Sequence, residues 1–137
     1  MDEILFRGKD VETNGWIEGY LTIFPKHYPS ITTVYDAFPV PRKITCTVYP
    51  ESVGQFIGRK DNKLKRIFDG DIITVNGHYP KLVKFIPERA GFCLANICDF
   101  KNQDFGDIWQ QPPVSWWNEM KIEVIGNKFD NPELLEE

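Results

Sequence analysis

The chain has 137 residues, 42% apolar, 26% charged and 14% aromatic, with a formal net charge of −4. That length suits one domain and can bury roughly 70% of the unfolded surface, so a disordered chain or a disulfide-stapled miniprotein is excluded. The acidic balance argues against binding nucleic acid through overall charge, and no run of 18 apolar residues offers a membrane-crossing helix.

The opening residues Met1–Arg7 lack the basic start and long apolar stretch of a secretory signal. The expected location is the cytoplasm. Ile4–Phe6 is a short apolar run. From Gly15 to Phe24 the pattern alternates, with Ile17, Leu21 and Ile23 on one face and Glu18 and Thr22 on the other, which predicts a half-buried strand. Pro25 and Pro29 mark a turn, and Ile31–Tyr35 reads as the return strand. Pro39 and Pro41 bracket another connection before the strand Ile44–Tyr49.

Gln55–Ile57 predicts a brief strand ended by Gly58, and Lys60–Arg66 a polar excursion. Asp69-Gly70-Asp71 is a turn feeding a strand over Ile72–Val75. Asn76-Gly77 is a hairpin signal, because both residues tolerate positive φ. Leu82–Ile86 and Phe92–Ile97 follow as strands around a Glu88–Gly91 turn. Asp99–Gln111 reads as a polar loop, Pro112-Pro113 as a stiff spacer, and Val114–Trp117 and Met120–Ile125 as the last strands. The chain ends in a predicted short helix, with Asn131 as N-cap, Pro132 at N1 and Glu133 facing the helix dipole. Aromatic and β-branched residues dominate, and no apolar 3.6-residue period lasts three turns, so the class is mainly β, α+β at most.

His-Tyr-Pro occurs twice, at 27–29 and 78–80. Neither histidine has a Cys, Ser or Asp arranged as a nucleophile–base pair. The three cysteines, Cys46, Cys93 and Cys98, read as thiols packed as small hydrophobes.

Several blocks together resemble the YopX family of phage and prophage proteins. They are Ile4–Asp10, Gly15–Leu21, Pro50–Gly58, Ile67–Ile72 and, most closely, the tail Ile122–Leu135. The chain departs from the pattern at Leu64, where a Gly is usual, which transfers the expected positive-φ turn to Asn62, and at Asp69, where Glu is usual. The resemblance implies one domain over 1–137, built of small SH3-like barrel or roll elements, with sub-elements 1–50 and 51–137. It implies a phage or prophage origin in a bacterial host, and it carries over no catalytic residue or cofactor.

The chemistry legible in the residues is sparse. Arg59, Lys60, Lys63, Lys65 and Arg66 set five cations among eight residues with Asp61 as the one acid, a loop able to reach phosphates or a solvated hairpin tip. Asp69 and Asp71 alternate as two carboxylates able to share a divalent cation, or as an Asx-type turn around Gly70. Trp109, Trp116 and Trp117 crowd around the Pro pair as an interaction surface or an aromatic core layer. Gly58, Asp69, Gly70, Asp71, Gly126, Asn131 and Pro132 read as structural turn residues. With no catalytic constellation, metal set or cofactor site in view, the expected function is a non-enzymatic accessory protein. It acts by binding an unknown protein partner or by homo-oligomerisation, with no membrane role. A nucleic-acid module using the 59–66 loop is the alternative, and a metal-dependent hydrolase using Asp69 and Asp71 the third.

Overall fold

The structure is a computed structural model that describes residues 4–77, 80–87, 90–96 and 121–135. Strand-forming runs separated by Gly, Pro, Asn and Asp turns give β1 (Phe6–Lys9), β2 (Trp16–Thr22), β3 (Ser30–Tyr35), β4 (Arg42–Thr47) and β5 (Gly54–Lys60). They continue as β6 (Arg66–Phe68), β7 (Asp71–Val75), β8 (Pro80–Ile86), β9 (Gly91–Asn96) and β10 (Ile122–Asn127). They form two antiparallel sheets, ordered β4-β3-β2-β1-β5-β6 and β10-β7-β8-β9. The chain divides into two compact units after Gly58.

Most of the strand expectations stand, with shifted ends. β5 does not stop at Gly58. It runs through that residue, whose φ is +89°, to Lys60. Ile23 lies just beyond β2 and is 74% exposed, so the alternating pattern ends past Leu21 in open surface and not in core. No α-helix occurs among the described residues. The expected C-terminal helix is a single 3-10 turn over Pro132–Leu135, and Pro50–Ser52 forms another.

In the first unit, β2 divides its pairing. Trp16–Gly19 lie against β1, and Tyr20–Thr22 against β3. Beyond β4 the chain returns to the end of β1. Val11 N–H donates to the Thr47 carbonyl and Tyr49 N–H to the Lys9 carbonyl, each at 3.0 Å. Only an isolated bridge, Asp10 to Val48, forms there, between the turn that follows Asp10 and the 3-10 turn that begins at Pro50. No closed barrel is formed among the described residues, so the barrel expectation is corrected to two open sheets. Ile31 and Val48 are the fully buried hydrophobes of this unit.

In the second unit the neighbours Ile72 and Ile73, and Leu82 and Val83, are all fully buried. Adjacent residues of a strand face opposite ways, so β7 and β8 are covered on both faces. Ile67, Phe68, Ile86, Cys93, Leu94, Ala95 and Ile122 are buried with them. Burying one such side chain contributes about 1.5–3 kcal/mol.

Candidate functional site

The basic excursion is organised by its one acid. Asp61 is 6% exposed. Its Oδ1 accepts the N–H groups of Lys63 at 2.9 Å and Lys65 at 2.8 Å, and its Oδ2 accepts the N–H of Val124, in β10, at 3.0 Å. Burial pushes this carboxyl up, but the three backbone donors and the Lys65 charge outweigh it and hold it below its ordinary value. Asn62 N–H donates to the Ile122 carbonyl at 2.8 Å, and Lys63 Nζ reaches Glu123 at 2.6 Å. The excursion is therefore a tight turn fastened to β10, with one of its cations engaged by a carboxylate. Lys60 and Lys65 are exposed, whereas Arg59 and Arg66 are partly covered. The left-handed residue is Leu64, at φ +64°, and not Asn62.

Two of the blocks that carry the resemblance, Ile67–Ile72 and the tail from Ile122, are neighbours in space. β7 pairs antiparallel with β10, setting Asp71 opposite Asn127 and Ile73 opposite Val124, with a register shift between Val124 and Gly126. Asp71 is fully buried, and its Oδ2 accepts the N–H of Phe68 at 2.8 Å. Gly70 supplies φ +93° between them, as the Asx-type reading required. Gly70 also accepts Lys128 N–H and donates to the Val83 carbonyl, both at 2.9 Å.

The tail turn is closed by two asparagines. Asn127 Oδ1 accepts the N–H groups of Phe129 at 3.0 Å and Asp130 at 2.8 Å. Asn131 Oδ1 accepts the N–H of Asn127 at 3.2 Å. Asn131 also stands at the N-cap position expected of it, directly before Pro132, with its carbonyl accepting Leu134 N–H at 3.0 Å, while its side-chain oxygen bonds backward onto β10. A Cβ on Gly126 would lie 2.5 Å from Asn131 Oδ1, so this Gly is required by close approach. Gly58, by contrast, has open space around its missing Cβ.

No group of three or more His, Cys, Asp or Glu among the described residues is placed to hold a metal ion. Cys46 and Cys93 form no disulfide. Burial, and then the nearby Asp10 carboxylate, push the Cys46 thiol above its ordinary pKa, which lowers its thiolate content and reactivity. Trp109, Trp116, Trp117, Cys98 and His78 lie outside the described residues. Two cations of β1 approach the Trp16 ring, Arg7 at 4.7 Å and Lys9 at 5.3 Å.

Sequence reasoning missed an open apolar cleft of about 430 Å³ in the first unit, lined by Leu21, Ile23, His27, Pro29, Pro50 and Val53. Phe24 and Tyr28 stand exposed in the same turn as His27. The Tyr28 and Tyr49 rings lie 6.3 Å apart. The His27-Tyr28-Pro29 triplet was the available signal, since two of its three residues line the cleft.

Comparison with known proteins agrees with the resemblance. The family model described as YopX protein matches residues 5–136, and the chain belongs to that family. No curated protein matches the sequence.

Proposed function

We propose that this YopX-family chain is a non-enzymatic phage or prophage accessory protein of the bacterial cytoplasm, and that it acts by binding protein through the apolar surface of its first unit. One observation carries the reading. The cleft is walled by Leu21, Ile23, Pro29, Pro50 and Val53 with His27 as its polar group, and Ile23 is left 74% exposed at its rim. Apolar surface left open in this way favours a partner's apolar side chains over a charged polymer. In the second unit, by contrast, the polar side chains Asp61, Asp71, Asn127 and Asn131 accept backbone N–H groups of their own fold.

The test is capture of a discrete protein partner by the whole chain. Ile23→Asp puts a charge on the rim and is expected to abolish capture, while Lys60→Glu, in the basic strand end, leaves it intact. Solution mass by light scattering with single-stranded and duplex DNA provides the counter-test. A DNA-dependent shift that disappears as salt rises would overturn the reading in favour of nucleic-acid binding through the 59–66 segment.

A further inference from the structure

We propose that the outer edge of β4 pairs antiparallel with β4 of a second copy of this chain, about a two-fold axis passing at Ile44. This goes beyond the cleft reading, because it names a different surface of the first unit and a different partner. Among the described residues β4 terminates its sheet, with β3 as its one neighbour in the strand order, and Arg42, Lys43, Ile44 and Thr45 are all exposed. An exposed edge of this kind is a template for strand addition.

The backbone directions follow from two hydrogen bonds. Val48 N–H donates to the Pro29 carbonyl, on the β3 side, whereas the Thr47 carbonyl accepts Val11 N–H on the opposite side. Backbone groups of successive residues in a strand alternate in direction. Arg42, Ile44 and Cys46 therefore bond toward β3, and Lys43 and Thr45 present their N–H and C=O groups outward.

The pleat then fixes the register. Residues directly opposite one another in an antiparallel pair share a face, so a two-fold pairing must match residues of equal parity. Centring on Ile44 sets Lys43 opposite the partner's Thr45, the outward-facing residues, so that each exchanges both backbone bonds. Ile44 meets the partner's Ile44 as the closely spaced pair without hydrogen bonds. Pro41, which has no N–H, and Val11, which already holds the Thr47 carbonyl, end the ladder on either side.

Charge selects the antiparallel arrangement. One end of β4 carries Arg42 and Lys43. At the other end Asp10 bridges Val48, two residues past Cys46, and Glu12 follows it in the same turn, so this end of the edge is acidic. The Ile44-centred register sets Arg42 opposite the partner's Cys46 and beside the partner's Asp10, and repeats the match by symmetry. A parallel pairing would instead place Arg42 and Lys43 against their own copies.

The experiment is sedimentation equilibrium of the whole chain at low and high salt, with three substitutions. The wild type is expected to show a concentration-dependent dimer that weakens in salt. Thr45→Pro removes an outward N–H that β3 does not use, a position where an edge strand tolerates Pro, and is expected to weaken the dimer at least about tenfold, a factor worth 1.4 kcal/mol. Arg42→Glu faces the partner's Asp10 and is expected to weaken it comparably, which keeps the test decisive if Thr45→Pro unfolds. Ile44→Cys brings two thiols into disulfide reach, with Cα atoms about 4.5 Å apart. Under mild oxidation it should give a dimer whose mapped linkage joins position 44 to itself. Thr45→Cys, whose copies are diagonal at about 7–8 Å, should not.

A dimer unchanged by Thr45→Pro and Arg42→Glu, with no linkage at position 44, overturns the pairing while self-association stands. A monomer at all concentrations also overturns it, and leaves partner capture through the cleft to be judged separately by Ile23→Asp.

Discussion

Removing the Asp61 carboxylate is the sharpest test of how the second unit is held. Asp61→Ala deletes the acceptor for three backbone N–H groups, those of Lys63, Lys65 and Val124. A hydrogen bond to a charged group contributes about 1.5–3 kcal/mol when protected. The neighbours Lys63 and Lys65 are exposed, so water can take over much of their share. A loss of about 2–4 kcal/mol remains, set mainly by the Val124 bond. For a chain of this size that is a fall of roughly 10 °C in the melting temperature. Asp61→Asn keeps one oxygen for the two turn donors but turns an amide toward Val124, whose N–H it cannot accept, so most of that loss is expected.

The same residue predicts a pH dependence. The folded-state pKa lies below the ordinary carboxylate value of 3.8. Its stabilisation is therefore fully present above the unfolded value and is lost as pH falls through the folded one. Urea unfolding between pH 7 and pH 2 should show an acid-side loss in the wild type that Asp61→Asn reduces. Hydrogen exchange should show Val124 losing protection in Asp61→Ala. A change under about 0.5 kcal/mol, within the range of an ordinary surface substitution, together with unchanged Val124 exchange, would refute the reasoning. It would place the attachment of the turn on the Asn62–Ile122 backbone bond instead.

Leu64 is 79% exposed and sits at φ +64°. The left-handed conformation costs an L-residue about 1–2 kcal/mol, and Asn tolerates it better. Leu64→Asn should therefore raise the urea midpoint, and Leu64→Gly should raise it less because glycine adds unfolded-state entropy. Gly126→Ala should destabilise by about 1–3 kcal/mol through overpacking against Asn131, and Asn131→Ala should partly relieve it in a double-mutant cycle followed by thermal unfolding. The Cys46 thiol should alkylate with a pH midpoint above that of a free cysteine, and Asp10→Asn should lower that midpoint part of the way, because burial remains. A midpoint unmoved by Asp10→Asn would remove the carboxylate from the account.

The strand pattern was legible because alternation and turn chemistry are local. β3, β7 and β8 fall within a residue or two of their predicted ends, and Asn76-Gly77 takes the positive φ values its composition demands. What stayed hidden depends on long-range contact. Asp61 counted as one acid among five cations, and its role appears only when β10 arrives 63 residues later to donate from Val124. Asn131 takes the N-cap position its composition predicts, but the backward bond of its side chain to Asn127, in the space left by the missing Gly126 side chain, was not legible. The barrel expectation failed on connectivity, because strand propensity does not state which edge closes on which. Leu64 takes a conformation its side chain disfavours, since the Asp61 bonds to Lys63 and Lys65 determine the turn on either side of it.

The division of labour between the two units follows from these contacts. The residues that carry the family resemblance in the second unit, Asp69-Gly70-Asp71 and the tail from Ile122, are next to each other because β7 pairs with β10. Their polar groups satisfy backbone donors that would otherwise be buried without acceptors, a requirement worth about 1–3 kcal/mol per group. A signature maintained for that purpose describes how the unit folds and is silent about what the protein binds. The first unit shows the opposite pattern. Its hairpin between β3 and β4 leaves Phe38 95% exposed and Val40 59% exposed, while Ile44 on the adjoining edge is half exposed. Folding gains nothing from such exposure, so selection on stability alone does not account for it. The binding surfaces proposed above would account for it, and the substitutions that test them lie at Ile23, Arg42, Ile44 and Thr45, outside the blocks that carry the family resemblance.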